Sequence, residues 1–159
     1  MKSYNIDGEI YPHVVNPDNL RSAKQYVPHG SDVFVCTFPR SGTTWIQHIA
    51  HNLCSKNTVL MLERSDQSNK IINFEIIAEL CITSPLIEYR GVDFVNTLEH
   101  PRLLKTHFTY WNCPKSQDAK YIYVVRNPKD VLTSYYFHHK NFKLLESSDV
   151  DFDSFSTYS

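Results

Sequence analysis

Apolar and polar residues follow two patterns along the chain, one of short buried strands and one of amphipathic helices. Runs rich in β-branched and aromatic residues predict strands, and apolar residues spaced i, i+3, i+4 and i+7 predict helices. The predicted strands cover residues 32–38, 102–105 and 119–125, and the predicted helices cover residues 43–54, 73–81 and 128–139. Because strands that alternate with helices form parallel sheets, the pattern predicts an α/β fold with ligands at the carboxyl ends of the strands.

The helix predicted over residues 43–54 has an apolar face and a polar face. We expect the buried face to carry Ile46, Ile49, Ala50 and Leu53, and the opposite face to carry Gln47, His48 and His51. His138 and His139 are expected on the surface of the last predicted helix. No carboxylate or cysteine completes a metal-binding set with these histidines, so we predict solvated side chains and no metal.

Residues 1–30 differ from the rest, because prolines are scattered among polar groups there, and they predict an irregular N-terminal arm wrapped on the domain.

The 159 residues are the size of one domain. A net charge of -1 provides no basic field for nucleic acid or for an anionic membrane. The longest apolar run, Tyr121 to Val125, is far shorter than the roughly 20 residues of a membrane span. The N-terminus has no apolar signal segment, which predicts a cytoplasmic location.

The segment after the first predicted strand has the composition of an anion-binding loop. It reads Thr37-Phe38-Pro39-Arg40-Ser41-Gly42-Thr43-Thr44-Trp45. A turn at Gly42 leads directly into a helix, so free backbone N–H groups and the positive helix end point at one place, which suits a phosphate. The alternative is an ordinary turn capped by Ser or Thr. The Gly-Lys-Ser/Thr sequence of nucleotide triphosphatases is absent, so we do not expect ATP hydrolysis.

Two further motifs follow the other predicted strands. One is Lys105-Thr106-His107, and the other is Arg126-Asn127-Pro128-Lys129-Asp130 with Ser134 one turn later. A cation such as Arg126 is unfavourable beside the positive end of a helix, so its presence favours an anion there. Because the carboxyl ends of parallel strands meet at one edge of a sheet, we predict that the three motifs form one site.

In this order, the three segments resemble those of the cytosolic sulfotransferases, which transfer a sulfuryl group from 3′-phosphoadenosine 5′-phosphosulfate (PAPS) to a hydroxyl or an amine. The first is similar to their 5′-phosphosulfate loop, the second to their catalytic segment and the third to their 3′-phosphate segment. The resemblance implies a P-loop-like parallel sheet flanked by helices, PAPS as donor and adenosine 3′,5′-bisphosphate (PAP) as product. It also implies a small acceptor such as a phenol, alcohol, steroid or amine, and no metal.

The resemblance also implies a role for each site residue. His107 would be the general base, and Lys105 and Arg40 would be the cations that stabilise the transferring group and the leaving phosphate. Arg40 takes the place of the lysine that is usual in the family. The implied donor-binding residues are Arg40, Ser41, Gly42, Thr43, Thr44 and Trp45 at the 5′ end and the adenine, and Arg126 and Ser134 at the 3′-phosphate. For Trp45, packing in the core is an equal alternative.

Family members are nearly twice as long as this chain. The resemblance therefore implies that residues 31–159 are the N-terminal part of a single sulfotransferase domain, truncated at the C-terminus. It places the family's dimerisation motif in the absent segment, so a homodimer is expected only of a full-length form. The alternatives are an inactive chain that binds PAP or PAPS and, less favoured, a P-loop nucleotide kinase.

Overall fold

Five strands and five helices are assigned among the residues that the structure, a computed structural model, describes, which are 3–54, 79–141 and 151–158. In chain order the elements are β1 (Ser3–Ile6), β2 (Glu9–Pro12), α1 (Pro17–Lys24), β3 (Val33–Thr37), α2 (Thr43–Cys54), α3 (Ile87–Val95), β4 (Leu103–Thr106), β5 (Lys120–Val124), α4 (Pro128–Asn141) and α5 (Phe152–Tyr158). None of the described helices combines the length and the apolar character that crossing a membrane requires.

A three-stranded parallel sheet in the order β4-β3-β5 forms the centre of the fold. Its register pairs Cys36 with Thr106 and Thr37 with Val124, so the carboxyl ends of the three strands lie at one edge. The three predicted strands and the helices over residues 43–54 and 128–139 are confirmed, with ends that shift by one or two residues. The helix predicted over residues 73–81 lies mostly outside the described residues, and residues 79–83 are helical.

Both faces of β3 are covered by apolar side chains. Phe34 points to one side and Val33 and Val35 to the other, as strand alternation requires. The cluster around Phe34 contains Ala23, Tyr26, Ile87, Val95 and Leu104. The cluster on the other side contains Val33, Val35, Ala50 and Leu103, with Ile46, Cys54 and Ile122 packed against it. The central strand is therefore buried on both faces, which is typical of parallel sheets.

The prediction for the buried face of α2 is confirmed for Ala50 and for Ile46, which packs against the core, and is wrong for Ile49, Leu53 and Gln47. Gln47 and Ala50 are its buried residues, whereas Leu53 is 82% exposed. The Gln47 amide donates hydrogen bonds to the carbonyl oxygen of Ser84 at 2.8 Å and to the Ser84 hydroxyl at 3.0 Å. These bonds satisfy the polar side chain inside the core. Because its partner lies 37 residues away, the local pattern could not indicate that Gln47 is buried.

The prediction that the helix histidines are solvated is also wrong. His139 is buried, and its ring centroid lies 4.5 Å from that of Tyr135 and 5.4 Å from that of Phe155. The other three histidines of α2 and α4 are half-buried. The reason for the burial of His139 is that aromatic residues of α4 and α5 pack around it.

The N-terminal segment is regular rather than irregular as predicted. β1 and β2 pair as an antiparallel hairpin, and α1 begins at Asn16, whose side chain accepts hydrogen bonds from the first turn. Glu9 in β2 accepts from Lys24 Nζ at 2.6 Å and from Asn112 Nδ2 at 2.7 Å. The bond from Lys24 lowers the pKa of Glu9 to about 2. Polar pairs between separate elements therefore help to order a segment that lacks long apolar runs.

α1 packs across α3 at Gly91. The backbone of Gly91 has φ 73° and ψ 171°, and a Cβ atom there would lie 2.7 Å from Asn19 Oδ1. Asn19 also donates from Nδ2 to the carbonyl oxygen of Tyr89 at 2.8 Å, which fixes its side chain at the contact. Only glycine combines this backbone conformation with so close an approach.

We expect Gly91→Ala to lower the free energy of unfolding by roughly 1–3 kcal/mol through backbone strain, with a further loss from the contact with Asn19. Urea denaturation measures the change. Gly8→Ala is the matched control, because Gly8 also has a positive φ of 90° but, in the part of the chain that the structure describes, no atom beyond its chain neighbours lies within 4 Å of the Cβ position. Equal losses in the two variants would contradict a role for the close approach.

Candidate active site

The loop between β3 and α2 is built on two residues in the left-handed conformation, Arg40 at φ 68° and Gly42 at φ 99°. The N–H of Ser41 donates to the Phe38 carbonyl at 3.2 Å, and the Gly42 carbonyl accepts from the N–H of Ile46 at 3.1 Å. The turn therefore leads directly into α2, whose first N–H groups have no partner within the helix. Among the described residues, no atom beyond Gly42 and its two chain neighbours lies within 4 Å of a Cβ position at Gly42, so these residues leave the space beside the loop open.

His107 follows β4 and is oriented by the end of β3. Its Nδ1 lies 2.7 Å from the carbonyl oxygen of Thr37 and 3.3 Å from the Thr37 hydroxyl. A carbonyl oxygen can only accept, so we assign the proton to Nδ1, which leaves a lone pair on Nε2 of the neutral ring. Burial lowers the pKa of His107, the bond to Thr37 opposes this change, and the charge of Lys105 lowers the pKa further. The imidazole is therefore neutral near pH 7 and able to accept a proton.

Lys105 lies two residues before His107, in β4. Its side chain is half-buried, and this burial lowers the pKa of Lys105, while negative charge on Cys81 or Glu88 would oppose the change. The influence of Lys105 on the pKa of His107 indicates that its charge reaches the histidine. This end of β4 therefore carries one cation and one neutral base.

Glu88 on α3 accepts hydrogen bonds from the backbone of this base and from the side chain of the residue before it. It is only 5% exposed, and its Oε1 accepts from the backbone N–H of His107 and from the hydroxyl of Thr106 at 3.0 Å. Its Oε2 is buried and has no hydrogen-bond partner among the described residues. Burial raises the pKa of Glu88 to about 7, and the hydrogen bonds and Lys105 oppose this increase. Sequence reasoning missed Glu88, although an acidic residue directly after Leu86 and Ile87 was a usable signal.

Arg40 connects the first motif with the third. Its Nε donates to the Ser134 hydroxyl at 3.2 Å, and its Nη1 lies 3.5 Å from His138 Nδ1. Arg126 donates from Nη1 to the carbonyl oxygen of Arg40 at 3.1 Å. The structure thus brings Arg40, Arg126 and Ser134 together at the loop. Two exposed guanidinium groups in this position can make charge-assisted hydrogen bonds to an anion.

The remaining predicted donor-binding residues lie in the loop and the first turn of α2. Ser41 is buried and Thr44 is exposed. The Thr43 hydroxyl lies 2.7 Å from the Thr37 hydroxyl, which links it to the environment of His107. Trp45 is 74% exposed, so its interpretation as a core residue is wrong. A large aromatic surface is therefore available beside the loop.

The fold and the site together define a parallel α/β protein with a glycine-containing loop that leads into a helix, a neutral histidine and several cations at the carboxyl edge of its sheet. A sequence model described as the sulfotransferase domain matches residues 30–158. The chain therefore belongs to the sulfotransferase family, which confirms the predicted family.

Curated relatives agree with this assignment. Sulfotransferase 1 family member D1 from Rattus norvegicus is 35% identical over 116 residues, which cover 71% of this chain and 37% of the rat protein. Amine sulfotransferase from Oryctolagus cuniculus is 39% identical over 125 residues, which cover 75% of this chain and 36% of the rabbit protein. The chain thus spans less than half the length of these relatives.

Solved structures show the same fold. Mouse sulfotransferase SULT7A1, complexed with PAP, superposes with a TM-score of 0.65 at 23% identity and covers 96% of this chain and 49% of its own. An Arabidopsis thaliana putative steroid sulphotransferase superposes with a TM-score of 0.61 at 26% identity, covering 89% of this chain and 51% of its own. The predicted P-loop-like α/β fold is confirmed.

The raised pKa of Glu88 predicts a specific dependence of stability on pH. The native pKa of about 7 lies above the ordinary value of 4.5, so the native state binds this proton more tightly than the unfolded state does. Below pH 4.5 the carboxyl is neutral in both states. As the pH rises through 7, burial of the charge lowers the free energy of unfolding by about 3 kcal/mol in total, at 1.36 kcal/mol per pKa unit.

We therefore expect Glu88→Gln, which keeps an oxygen acceptor and removes the titration, to gain stability over the parent progressively between pH 4.5 and pH 7. Urea denaturation at each pH measures the difference. Asp93→Asn is the matched control, because Asp93 is an exposed carboxylate on the same helix. A stability difference that stays constant with pH would contradict the argument.

Proposed function

We propose that this chain carries the donor-binding and catalytic residues of a PAPS-dependent sulfotransferase. The reaction would transfer a sulfuryl group to a hydroxyl or amine of a small acceptor such as a phenol, alcohol, steroid or amine. The observation that supports this proposal most is the 2.7 Å contact between His107 Nδ1 and the Thr37 carbonyl, because it fixes a proton-accepting imidazole beside the loop. Membership of the sulfotransferase family supports it independently.

The residues around the loop fit a phosphosulfate nucleotide. The guanidinium groups of Arg40 and Arg126 supply fixed positive charge, and Gly42 leaves open space where an anion can approach the backbone. We assign Arg40, Ser41, Gly42, Thr43 and Thr44 to the 5′ end of the donor, Trp45 to the adenine, and Arg126 and Ser134 to the 3′-phosphate. PAPS would supply the sulfuryl group and leave as PAP.

In this proposal His107 is the general base. Its Nε2 accepts the proton of the acceptor hydroxyl or amine while the acceptor atom bonds to sulfur. Lys105 stabilises the charge on the transferring sulfuryl group, and Arg40 stabilises the negative charge that the bridging phosphate oxygen gains as its bond to sulfur breaks. Because a guanidinium does not release its proton near neutral pH, the role of Arg40 is electrostatic.

A chain that binds PAP or PAPS without transfer is the second candidate. Arg40 favours it, because the resemblance implies a lysine at this position and a guanidinium cannot release a proton to the leaving phosphate near neutral pH. Arg40 also donates to the Ser134 hydroxyl, and in either candidate this bond must open or be shared for both residues to contact a donor. Both candidate functions predict that the chain binds PAP or PAPS, and only the first predicts transfer of the sulfuryl group.

Binding of the 3′-phosphate tests the donor site. In calorimetric titrations without added metal, we expect PAP to bind the parent chain at least tenfold more tightly than adenosine 5′-monophosphate, since hydrogen bonds to charged groups contribute about 1.5–3 kcal/mol. Arg126→Ala should lose most of this preference. Lys129→Ala, which removes an exposed cation from the same segment, should keep it. Equal affinity of the parent for both nucleotides would contradict a 3′-phosphate site in this chain.

Transfer tests the role of His107. We expect His107→Asn, whose amide can still donate to Thr37, to lower the transfer rate by roughly 10²–10⁴-fold with little change in PAP affinity. The assay follows labelled sulfur from PAPS to a panel of phenol, alcohol, steroid and amine acceptors. Because burial lowers the pKa of His107 below its ordinary value of 6.5, the parent rate should fall with acid only below about pH 6.5.

His48→Asn is the control, because His48 is a half-buried histidine of α2 outside the site. Unchanged transfer in His107→Asn would exclude the general-base role. A parent chain that binds PAP tightly and transfers sulfur to none of the acceptors would favour the second candidate.

A further inference from the structure

A second cluster of ionisable side chains lies at the opposite edge of the sheet from the candidate active site. Asp32 immediately precedes β3, His29 lies three residues earlier, and His100 lies in the segment before β4. Each offers one ligand atom, and the three atoms lie within 4.8 Å of one another. We propose that His29, Asp32 and His100 form a zinc-binding site.

The two carboxylate oxygens of Asp32 have different environments. Oδ2 accepts hydrogen bonds from the Tyr26 hydroxyl and, at 2.8 Å, from the backbone N–H of His29. Oδ1 is buried and has no hydrogen-bond partner among the described residues, although His100 Nδ1 lies 3.5 Å from it. An unpaired polar atom in the interior is unfavourable. A cation bound at Oδ1 would remove this cost.

The two imidazoles are held next to this oxygen. Their ring centroids are 4.2 Å apart, and the Ser31 hydroxyl lies 2.8 Å from His29 Nδ1 and 3.0 Å from His100 Nδ1. The backbone N–H of Ser31 donates to His29 Nδ1, so that nitrogen carries a lone pair. Neutral imidazole is the form that binds a metal. A metal at His29 Nδ1 would replace the hydrogen bond that this lone pair accepts from Ser31.

Two imidazoles and one carboxylate are a ligand set that zinc uses, with the fourth position left to water. Calcium and magnesium take oxygen ligands instead, so this set disfavours them. Zinc-to-ligand distances of about 2.0–2.1 Å in a tetrahedral site place any two ligand atoms about 3.4 Å apart. The separation of 3.5 Å between Asp32 Oδ1 and His100 Nδ1 is close to that distance. Both histidines are exposed, which leaves the fourth position open to water.

The position of the cluster assigns it a structural role. At about 3.3 Å per residue, β3 separates Asp32 from the loop after Thr37 by roughly 16 Å. A metal at Asp32 would therefore not contact the transferring group. It would join the segment that enters β3 to the segment that enters β4. Arg102 donates from Nη1 to the Tyr26 hydroxyl at 3.0 Å, and that hydroxyl in turn donates to Asp32.

Zinc titration of the chelator-treated full chain tests the proposal. Calorimetry at pH 7.5 with zinc chloride alone should give a saturable site in the parent and in the control His48→Ala. We expect affinity to fall at least tenfold in His29→Ala and in His100→Ala, because loss of a ligand should cost no less than the 10–100-fold loss known for outer-shell partners. Zinc should also raise the melting temperature of the parent more than that of either variant.

Cobalt as a spectroscopic probe identifies the ligand atoms, and circular dichroism establishes that each variant is folded. Because both histidines are exposed, we expect each alanine variant to fold, and each variant tests one proposed ligand by itself. Ligation by nitrogen and oxygen in the parent, lost in either histidine variant, supports the proposal. Unchanged zinc affinity in both variants, a thiolate-to-cobalt charge-transfer band, or the absence of saturable binding would overturn it.

Discussion

The parallel pairing of β3 with β4 and β5 determines where the candidate site residues lie. Because Cys36 is paired with Thr106 and Thr37 with Val124, the loop after Thr37, His107 and Arg126 all leave the sheet at the same edge. The same register is required by packing, since both faces of β3 are buried and a shift of one residue would exchange them. The apolar contacts that stabilise the sheet therefore also position the chemistry at its edge.

Much of this arrangement could be predicted from local sequence, and the exceptions share a physical cause. The three strands and the helices α2 and α4 carry their own apolar runs or capping residues, so short windows contain the signal. Gln47 is buried because Ser84 accepts its amide hydrogens, and Glu88 is placed by the backbone N–H of His107. The hairpin is ordered by pairs such as Lys24 with Glu9. These contacts join distant parts of the chain and leave no periodic trace in the sequence.

The candidate site also has some features that the local sequence predicts and others that it does not. The strand-end rule predicts that the three motifs meet, because it depends only on topology. It does not predict that Nδ1 of His107 faces the Thr37 carbonyl, nor that Arg40 adopts a positive φ and donates to Ser134. The first of these contacts fixes which ring nitrogen is free, and the second sets what an incoming anion must displace. Mechanism therefore depends on side-chain geometry that residue types alone do not specify.

Asp32 and Glu88 are buried carboxylates near opposite ends of the sheet, and each has an oxygen without a hydrogen bond among the described residues. The side chains around each carboxylate determine how the cost of burying that oxygen is reduced. Each has one oxygen that accepts two hydrogen bonds and one without such a bond among the described residues. The cation near Glu88 is Lys105, and burial lowers the pKa of this lysine. The Glu88 carboxyl compensates for its unpaired oxygen by taking up a proton, with a pKa of about 7. Near Asp32 the neighbours are two imidazoles, which carry lone pairs as well as protons. A metal ion can therefore compensate Asp32, whereas the surroundings of Glu88 favour a proton.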